Sequence, residues 1–156
     1  MLSLTLTAVA ALAVATPALA AGPLTLSSEV KVEKRIAAAD GTTRTILAAP
    51  GHVVPGDRVV FVLNYRNTGS QPLSNVVLAN PVPKNISYRA AAAGSAVPEL
   101  SVDGENFGTL GALRVPTAVG ATRAASSDDV TTVRWRLTSP IAAGSQGQFA
   151  FQAVIK

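Results

Sequence analysis

Apolar and polar residues alternate with a period of two through most of this chain, a spacing typical of half-buried β-strands. The first alternating run covers residues 24–36. Through residue 32, one face carries a serine and four apolar side chains: Leu24, Leu26, Val30 and Val32. The other face is polar, so the pattern predicts a long amphipathic strand near the start of the chain.

The most strongly apolar run covers residues 58–66 and carries apolar side chains on both of its faces. Val59, Phe61 and Leu63 point one way. Val60 and Val62 point the other way. A strand that is apolar on both faces is typical of the interior of a sheet, so this run is predicted to form a central strand.

Two further runs, residues 130–137 and 148–155, show the same alternation. Together with the central strand they predict a core formed by the inward-facing set Val59, Phe61, Leu63, Val133, Trp135, Phe149 and Phe151. The aromatic members could instead form a carbohydrate-binding platform. Because alternation places them on the core side, core packing is the favoured interpretation.

Turn signals separate the runs, and helical signals are nearly absent. Pro50-Gly51 and Pro55-Gly56-Asp57 both combine residues that favour tight turns. Residues 91–129 are poorly patterned and predict one or two short edge strands. Many short strands without intervening helices predict an all-β fold, an antiparallel immunoglobulin-like β-sandwich of about seven to nine strands. One such domain is expected to cover residues 21–156.

The first twenty residues have a different composition and predict a signal peptide, residues 1–20. This segment contains no charged side chain and ends in Pro17-Ala18-Leu19-Ala20, a small-residue cleavage pattern. A transmembrane anchor is the alternative, but the apolar run is short and no basic cluster follows it. We therefore expect a secreted protein, extracellular or on the cell surface, with the periplasm as the alternative compartment. No integral membrane segment is expected after cleavage.

Cysteine content and charge narrow the function classes. The chain has no cysteine, which excludes thiol catalysis, thiolate metal sites and disulfides. Thirteen Lys and Arg residues against nine Asp and Glu residues give a net charge of +4, and most basic residues are scattered. Nucleic-acid-binding proteins usually cluster basic residues among aromatics, so no nucleic-acid partner is expected. Anionic polymers of the cell envelope would suit a mild positive charge.

Several short motifs occur in a fixed order along the chain. They are Val54-Pro55-Gly56-Asp57-Arg58-Val59, Tyr65-Arg66-Asn67-Thr68-Gly69, Leu73-Ser74-Asn75-Val76, Asn80-Pro81-Val82-Pro83, Tyr88, Ser101-Val102-Asp103-Gly104, Phe107, Val133-Arg134-Trp135, Ala143-Gly144 and Phe149-Ala150-Phe151. This series resembles the bacterial conserved-repeat domain of surface proteins, the domain-of-unknown-function family eleven. The resemblance begins near Leu24 and extends to the end of the chain.

The resemblance implies an immunoglobulin-like fold and a role as a spacer, stalk or adhesive module of the cell surface. Domains of this family usually occur in tandem copies. This sequence departs from that pattern because it holds a single copy without a sorting motif or a transmembrane tail. The departure favours a soluble or assembling subunit over a stalk.

Residues able to carry chemistry are few, and no enzyme activity is expected. His52 is the single histidine and follows a proline-glycine turn. Asp103, Glu105 and Asn106 offer oxygen ligands that could bind calcium. Asp103-Gly104 is also a strong hairpin-turn signal, and a polar turn is the favoured interpretation. No cofactor and no metal are therefore expected.

Two function classes remain. The first is an exported, non-enzymatic structural or adhesive module of the cell surface that could serve as a subunit of an extracellular assembly. The second is a soluble cell-envelope protein that recognises a glycan or a protein partner. Self-association would use the first strand through Leu24, Leu26, Val30 and Val32. That strand is either donated to a neighbouring copy or paired within its own domain, and the resemblance favours the latter.

Overall fold

The computed structural model describes residues 22–156; the predicted signal peptide lies outside the described residues. The described chain forms ten β-strands and two single-turn 3-10 helices. The strands are β1 Leu24–Ala37, β2 Thr43–Ala48, β3 Arg58–Asn67, β4 Val77–Pro81, β5 Ile86–Ala91, β6 Glu99–Ser101, β7 Arg114–Pro116, β8 Thr122–Ala124, β9 Thr132–Arg136 and β10 Gln146–Ile155. The helical turns are Leu110–Ala112 and Ser127–Asp129.

The strands form two main sheets, and every pairing within them is antiparallel. The five-stranded sheet has the order β2-β1-β3-β10-β5, and the three-stranded sheet has the order β4-β9-β6. β7 and β8 form a separate hairpin. The predicted all-β antiparallel sandwich is confirmed. β3 lies in the middle of its sheet, as its two apolar faces predicted.

The core lies between the two main sheets and takes side chains from both. Most of the predicted core set is buried: Val59, Phe61, Leu63, Val133, Trp135 and Phe151. Phe149 is partly buried and stacks on Trp135 across the two sheets, with ring centroids 5.0 Å apart. Phe151 stacks on Phe61 within its own sheet, also at 5.0 Å. Aromatic pairs of this kind bury large areas in favourable geometry, and the predicted core is confirmed.

β3 also buries side chains on the outer face of its sheet. Val60 and Val62 form a small apolar cluster with Ala150 of β10. Polar residues stand directly opposite the two valines in the neighbouring strands: Glu29, Lys31 and Gln152. Long polar side chains can cover apolar surface with their methylene groups while their polar ends stay in water. This arrangement explains how a sheet face open to solvent contains buried valines.

The predicted turn before β3 has the expected backbone. The Asp57 N–H donates to the Val54 carbonyl at 3.1 Å, which closes a four-residue turn. Gly56 has φ +96, a conformation that favours glycine. The Asp57 carboxylate in turn accepts the Val54 N–H at 2.9 Å. Local turn chemistry therefore starts the central strand.

Two segments of the sandwich are irregular. β4 is Val77–Pro81, and Leu73 before it forms only an isolated bridge with Ile141. Asn75 lies between them with φ +56, which interrupts extended backbone. Residues 91–129 hold three short strands and both 3-10 turns. The described total of ten strands therefore exceeds the predicted seven to nine.

Candidate functional site

β1 carries the four residues predicted for self-association, and the structure pairs it within its own chain. Residues 24–32 pair with β3, and residues 32–37 pair with β2. Val32 is buried, and Leu24 and Val30 pack against the core. Leu26 stands directly opposite Tyr65 but keeps 49% of its surface exposed. Three of the four residues therefore anchor the strand to its own sandwich, whereas Leu26 faces solvent.

The loop after β3 fixes the start of β1. The backbone N–H and the Oγ1 of Thr68 both donate to the Pro23 carbonyl, at 2.6 and 2.9 Å. A Cβ atom at Gly69 would lie 2.7 Å from the Pro23 Cβ, so only glycine permits this approach. The Asn-Thr-Gly segment thus holds the N-terminal end of the sandwich in place.

The first part of β1 has a partner strand on only one of its two sides within residues 22–156. Residues of a strand direct their N–H and C=O groups alternately to its two sides. The Pro23 carbonyl points to β3, since it accepts from Thr68, and the Ala38 N–H points to β2, since it donates to Thr42 at 2.7 Å. The backbone N–H and C=O groups of odd-numbered residues of β1 therefore point to β3, and those of even-numbered residues point to the opposite side. β2 covers that other side only from Val32 onward.

The side of residues Leu24 to Lys31 that faces away from β3, and that has no partner strand within residues 22–156, is called the β1 edge below. Its outward backbone groups belong to Leu24, Leu26, Ser28 and Val30. Its polar face is organised by Glu29, which forms an ion pair with Lys31 at 3.5 Å and accepts the Asn64 amide at 3.2 Å. Residues 25–29 are all exposed. The segment is therefore accessible, and the two charges on it offset each other.

Asn67 is a buried polar residue at the end of β3, and the sequence patterns did not indicate a structural role for its side chain. It is 0% exposed. Its amide Nδ2 donates to the carbonyls of Gln71, Ile141 and Ala142 at 2.8, 3.0 and 3.2 Å. Its Oδ1 accepts the Gly69 N–H at 2.9 Å. An asparagine before a threonine-glycine pair predicts hydrogen bonds from its side chain to the nearby backbone. It does not predict the bonds to Ile141 and Ala142, which lie 74 and 75 residues away.

The calcium candidates Asp103, Glu105 and Asn106 lie in one loop, but they do not form a cluster of free oxygen atoms. Asp103 Oδ1 accepts from Ser101 Oγ and from the N–H groups of Glu105 and Asn106, at 2.8–2.9 Å. Its Oδ2 accepts the Asn106 amide at 2.8 Å. These bonds hold the pKa of Asp103 well below its usual range, with the Asn106 amide as the largest cause. Asp103 thus acts as the acceptor that shapes the turn.

The same loop reverses the chain. Leu100 and Gly108 exchange backbone hydrogen bonds at 2.8 and 2.9 Å across its base. Gly104 has φ +82, consistent with the tight turn expected of Asp-Gly. Among the described residues, no group of three or more His, Cys, Asp and Glu side chains lies close enough to hold a metal ion.

Asp128 and Asp129 end the helical turn Ser127–Asp129, and both carboxylates accept hydrogen bonds. Asp129 binds Arg123 through two hydrogen bonds of 2.6 and 2.7 Å and accepts from both the N–H and the Oγ of Ser126. These bonds lower the pKa of Asp129, with Arg123 as the largest cause. Asp128 accepts from Ser87 Oγ. Asp129 therefore holds residues 123–129 together, and Asp128 ties this segment to β5.

The aromatic residues line one side of a second groove, of about 480 Å³, at the end of the sandwich. Trp135 is only 3% exposed, and its Nε1 donates to the Ala96 carbonyl at 2.8 Å. Phe149 and Tyr65 continue the stack outward, with ring centroids 5.6 Å apart. Trp135 is thus a core residue, and the exposed Arg136 belongs to the groove wall.

The remaining candidates take no part in a cluster. His52 is exposed in the loop between β2 and β3. Across residues 22–156, no helix has the length and apolar character needed to cross a membrane. No protein-family model, no curated protein and no solved structure matches this chain.

Proposed function

We propose that this protein is an exported structural or adhesive module of the cell surface, and not an enzyme, whose copies associate through the β1 edge. The single observation that carries the proposal is the unpaired segment from Leu24 to Lys31. An exposed strand edge offers a row of backbone donors and acceptors, which is a common template for pairing with another chain. Half-exposed Leu26 adds apolar area at the same place.

The roles of the carboxylates support a structural function. Asp57, Asp103 and Asp129 each accept backbone N–H groups in turns. Asp129 also binds Arg123, which fastens the segment that holds β7 and β8. These side chains stabilise the sandwich. The ordered motif series that resembles surface-protein repeats, and the predicted signal peptide, support the same proposal.

A soluble protein that binds a glycan or protein of the cell envelope is the second candidate. It is favoured by the groove of about 480 Å³ next to Trp135. Tyr65 and Phe149 provide apolar area there, and Arg136 provides an exposed positive charge for an anionic partner. Such sites combine apolar walls with a few polar groups.

Sedimentation of the exported protein over a wide concentration range separates the two candidates. A structural module sediments as dimers or larger species, whereas the binding protein stays monomeric and shifts only when an envelope glycan or an envelope extract is added. Intact-mass measurement on the same sample tests export, because the chain should begin at Ala21. A chain that retains Met1, or a monomer at every concentration, would argue against the module.

Deletion of residues 21–28 tests whether β1 is needed by its own domain. If β1 belongs to its own sandwich, the deletion lowers the melting temperature, because the contacts of Leu24 and Pro23 are lost. If β1 is donated to a neighbour, the truncated chain stays folded as a monomer and binds an added peptide of residues 24–36. Replacement of residues 21–28 by glycine and serine is the matched control for chain length.

A further inference from the structure

We infer that two copies of this chain pair their β1 edges antiparallel about a twofold axis at Ser28, with Leu26 of each copy opposite Val30 of the other. This inference rests on the proposed self-association and names its partner and register. It differs from strand donation, since each β1 stays in its own sandwich and the two five-stranded sheets join into one.

Backbone direction decides which residues can meet. Leu26, Ser28 and Val30 direct their N–H and C=O groups away from β3 and toward the β1 edge, as the bonds of Pro23 and Ala38 establish. In an antiparallel pair, residues that exchange hydrogen bonds stand directly opposite each other. Even-numbered residues of one copy must therefore stand opposite even-numbered residues of the other. This condition allows symmetric registers centred on any residue of the β1 edge. Centres at Ser27 or Ser28 pair about seven residues of each copy within the β1 edge, whereas centres at Leu26 or Glu29 pair about five.

Side-chain chemistry selects among these registers. A centre at Glu29 places two like charges directly opposite each other, which is unfavourable. Like a centre at Leu26, it also pairs fewer residues of the β1 edge than a centre at Ser28 does. A centre at Ser27 places half-exposed Leu26 opposite a serine. A centre at Ser28 places Leu26 opposite Val30, Ser27 opposite Glu29 and Thr25 opposite Lys31, so that apolar residues meet apolar ones.

The other edges of the sandwich are less suited to such pairing. β4 ends at Pro81, β5 pairs with β10 through a bulge, and β6 has only three residues. Proline, bulges and short strands are among the devices by which proteins blunt sheet edges. The β1 edge has none of these three between Leu24 and Lys31, and its charged residues Glu29 and Lys31 pair with each other. β2 limits the register instead, because its pairing from Val32 onward stops the partner strand from sliding further.

The first test introduces a single cysteine. Because the chain has no native cysteine, a disulfide can form only between two copies. Ser28→Cys in the exported protein should give a covalent dimer on mild oxidation, because Cα atoms of a hydrogen-bonded antiparallel pair lie about 5.5 Å apart, within disulfide range. Ser27→Cys reports the register centred on Ser27, and Thr45→Cys reports pairing through the outer edge of β2. Dimer formation by Ser28→Cys well above both controls supports the inference. Greater yield from either control, or equal yields from all three, overturns it.

The second test uses proline. Ser28→Pro removes an N–H that points to the β1 edge, so dimers should be lost while the melting temperature changes little. Ser27→Pro removes an N–H that points to β3, so it should lower the melting temperature. A Ser28→Pro protein that still dimerises overturns the inference while leaving self-association intact. If the unmodified protein never associates, the proposed function fails as well. Fibres in place of dimers would indicate strand donation, which does not close on itself.

Discussion

The ring of Tyr65 lies directly over Gly147, its cross-strand neighbour in β10. A Cβ atom built on Gly147 would lie 2.6 Å from the Tyr65 Cζ, which is closer than atoms can approach. The same ring stacks on Phe149. The absence of a side chain at Gly147 therefore lets Tyr65 lie across the sheet at the end of the aromatic stack.

Gly147→Ala should destabilise the protein, because the Tyr65 ring must leave its place on Phe149. Forced repacking of this kind costs about 1–3 kcal/mol, measured as the free energy of unfolding in urea. Gly51→Ala is the matched control, since no atom lies within 4 Å of its added Cβ. Equal stability of the two variants would show that Tyr65 moves aside freely.

Trp135→Ala should cost about 3–5 kcal/mol through lost burial and the cavity it leaves. The Trp135 ring contacts both Phe149 and Phe151 at the centre of the core. Arg136→Ala is the control on the adjacent, exposed position and should cost less than about 1 kcal/mol. Chemical denaturation of both variants checks the assignment of the two faces of β9, which similar costs would contradict.

Asn67→Ala should cost roughly 2–3 kcal/mol, because the carbonyls of Gln71, Ile141 and Ala142 lose their shared donor in a buried place. Asn85→Ala, at an exposed position, should be nearly neutral. Thermal unfolding of the two proteins provides the comparison. A neutral Asn67→Ala would mean that water replaces the amide at no cost.

The Arg123–Asp129 pair should make the stability of the folded protein depend on pH. The pKa of Asp129 is lowered in the folded chain by Arg123 and Ser126, relative to about 3.9 in an unfolded chain. The pair therefore stabilises the protein above about pH 4 and loses this effect as the pH falls through the lowered pKa. Asp129→Asn should melt a few degrees below the unmodified protein at pH 7, and the gap should narrow at pH 3. A gap that stays constant with pH would contradict the ionic contribution.

Millimolar calcium should move the melting temperature by less than about 1 °C, since a ligand stabilises only a fold that binds it. Asp103 already accepts hydrogen bonds on both carboxylate oxygens. Asp103→Ala should lower the melting temperature more than Glu105→Ala, because the Glu105 side chain lies exposed. A rise of many degrees with calcium that a chelator reverses would establish a metal site.

The alternation of side chains was sufficient to predict the fold class, the central position of β3 and most of the core. Alternation reports which way a side chain points relative to its own strand, and burial follows from that direction. The turn at Pro55-Gly56-Asp57 could be predicted for a similar reason, because its hydrogen bonds join residues three apart. These features depend on local backbone geometry, which a short stretch of sequence encodes.

Features that depend on distant residues were decided only by the tertiary structure. The partners of Asn67 lie 74 and 75 residues away, and the exposure of Leu26 cannot be read from a face that it shares with buried Val32. The β1 edge exists because β2 pairs with one half of β1 and β3 with the other. The amphipathic pattern of β1 by itself fits pairing within the chain and pairing with a neighbour equally well. Strand pairing is non-local, so the register and the free edge follow from how the two sheets assemble.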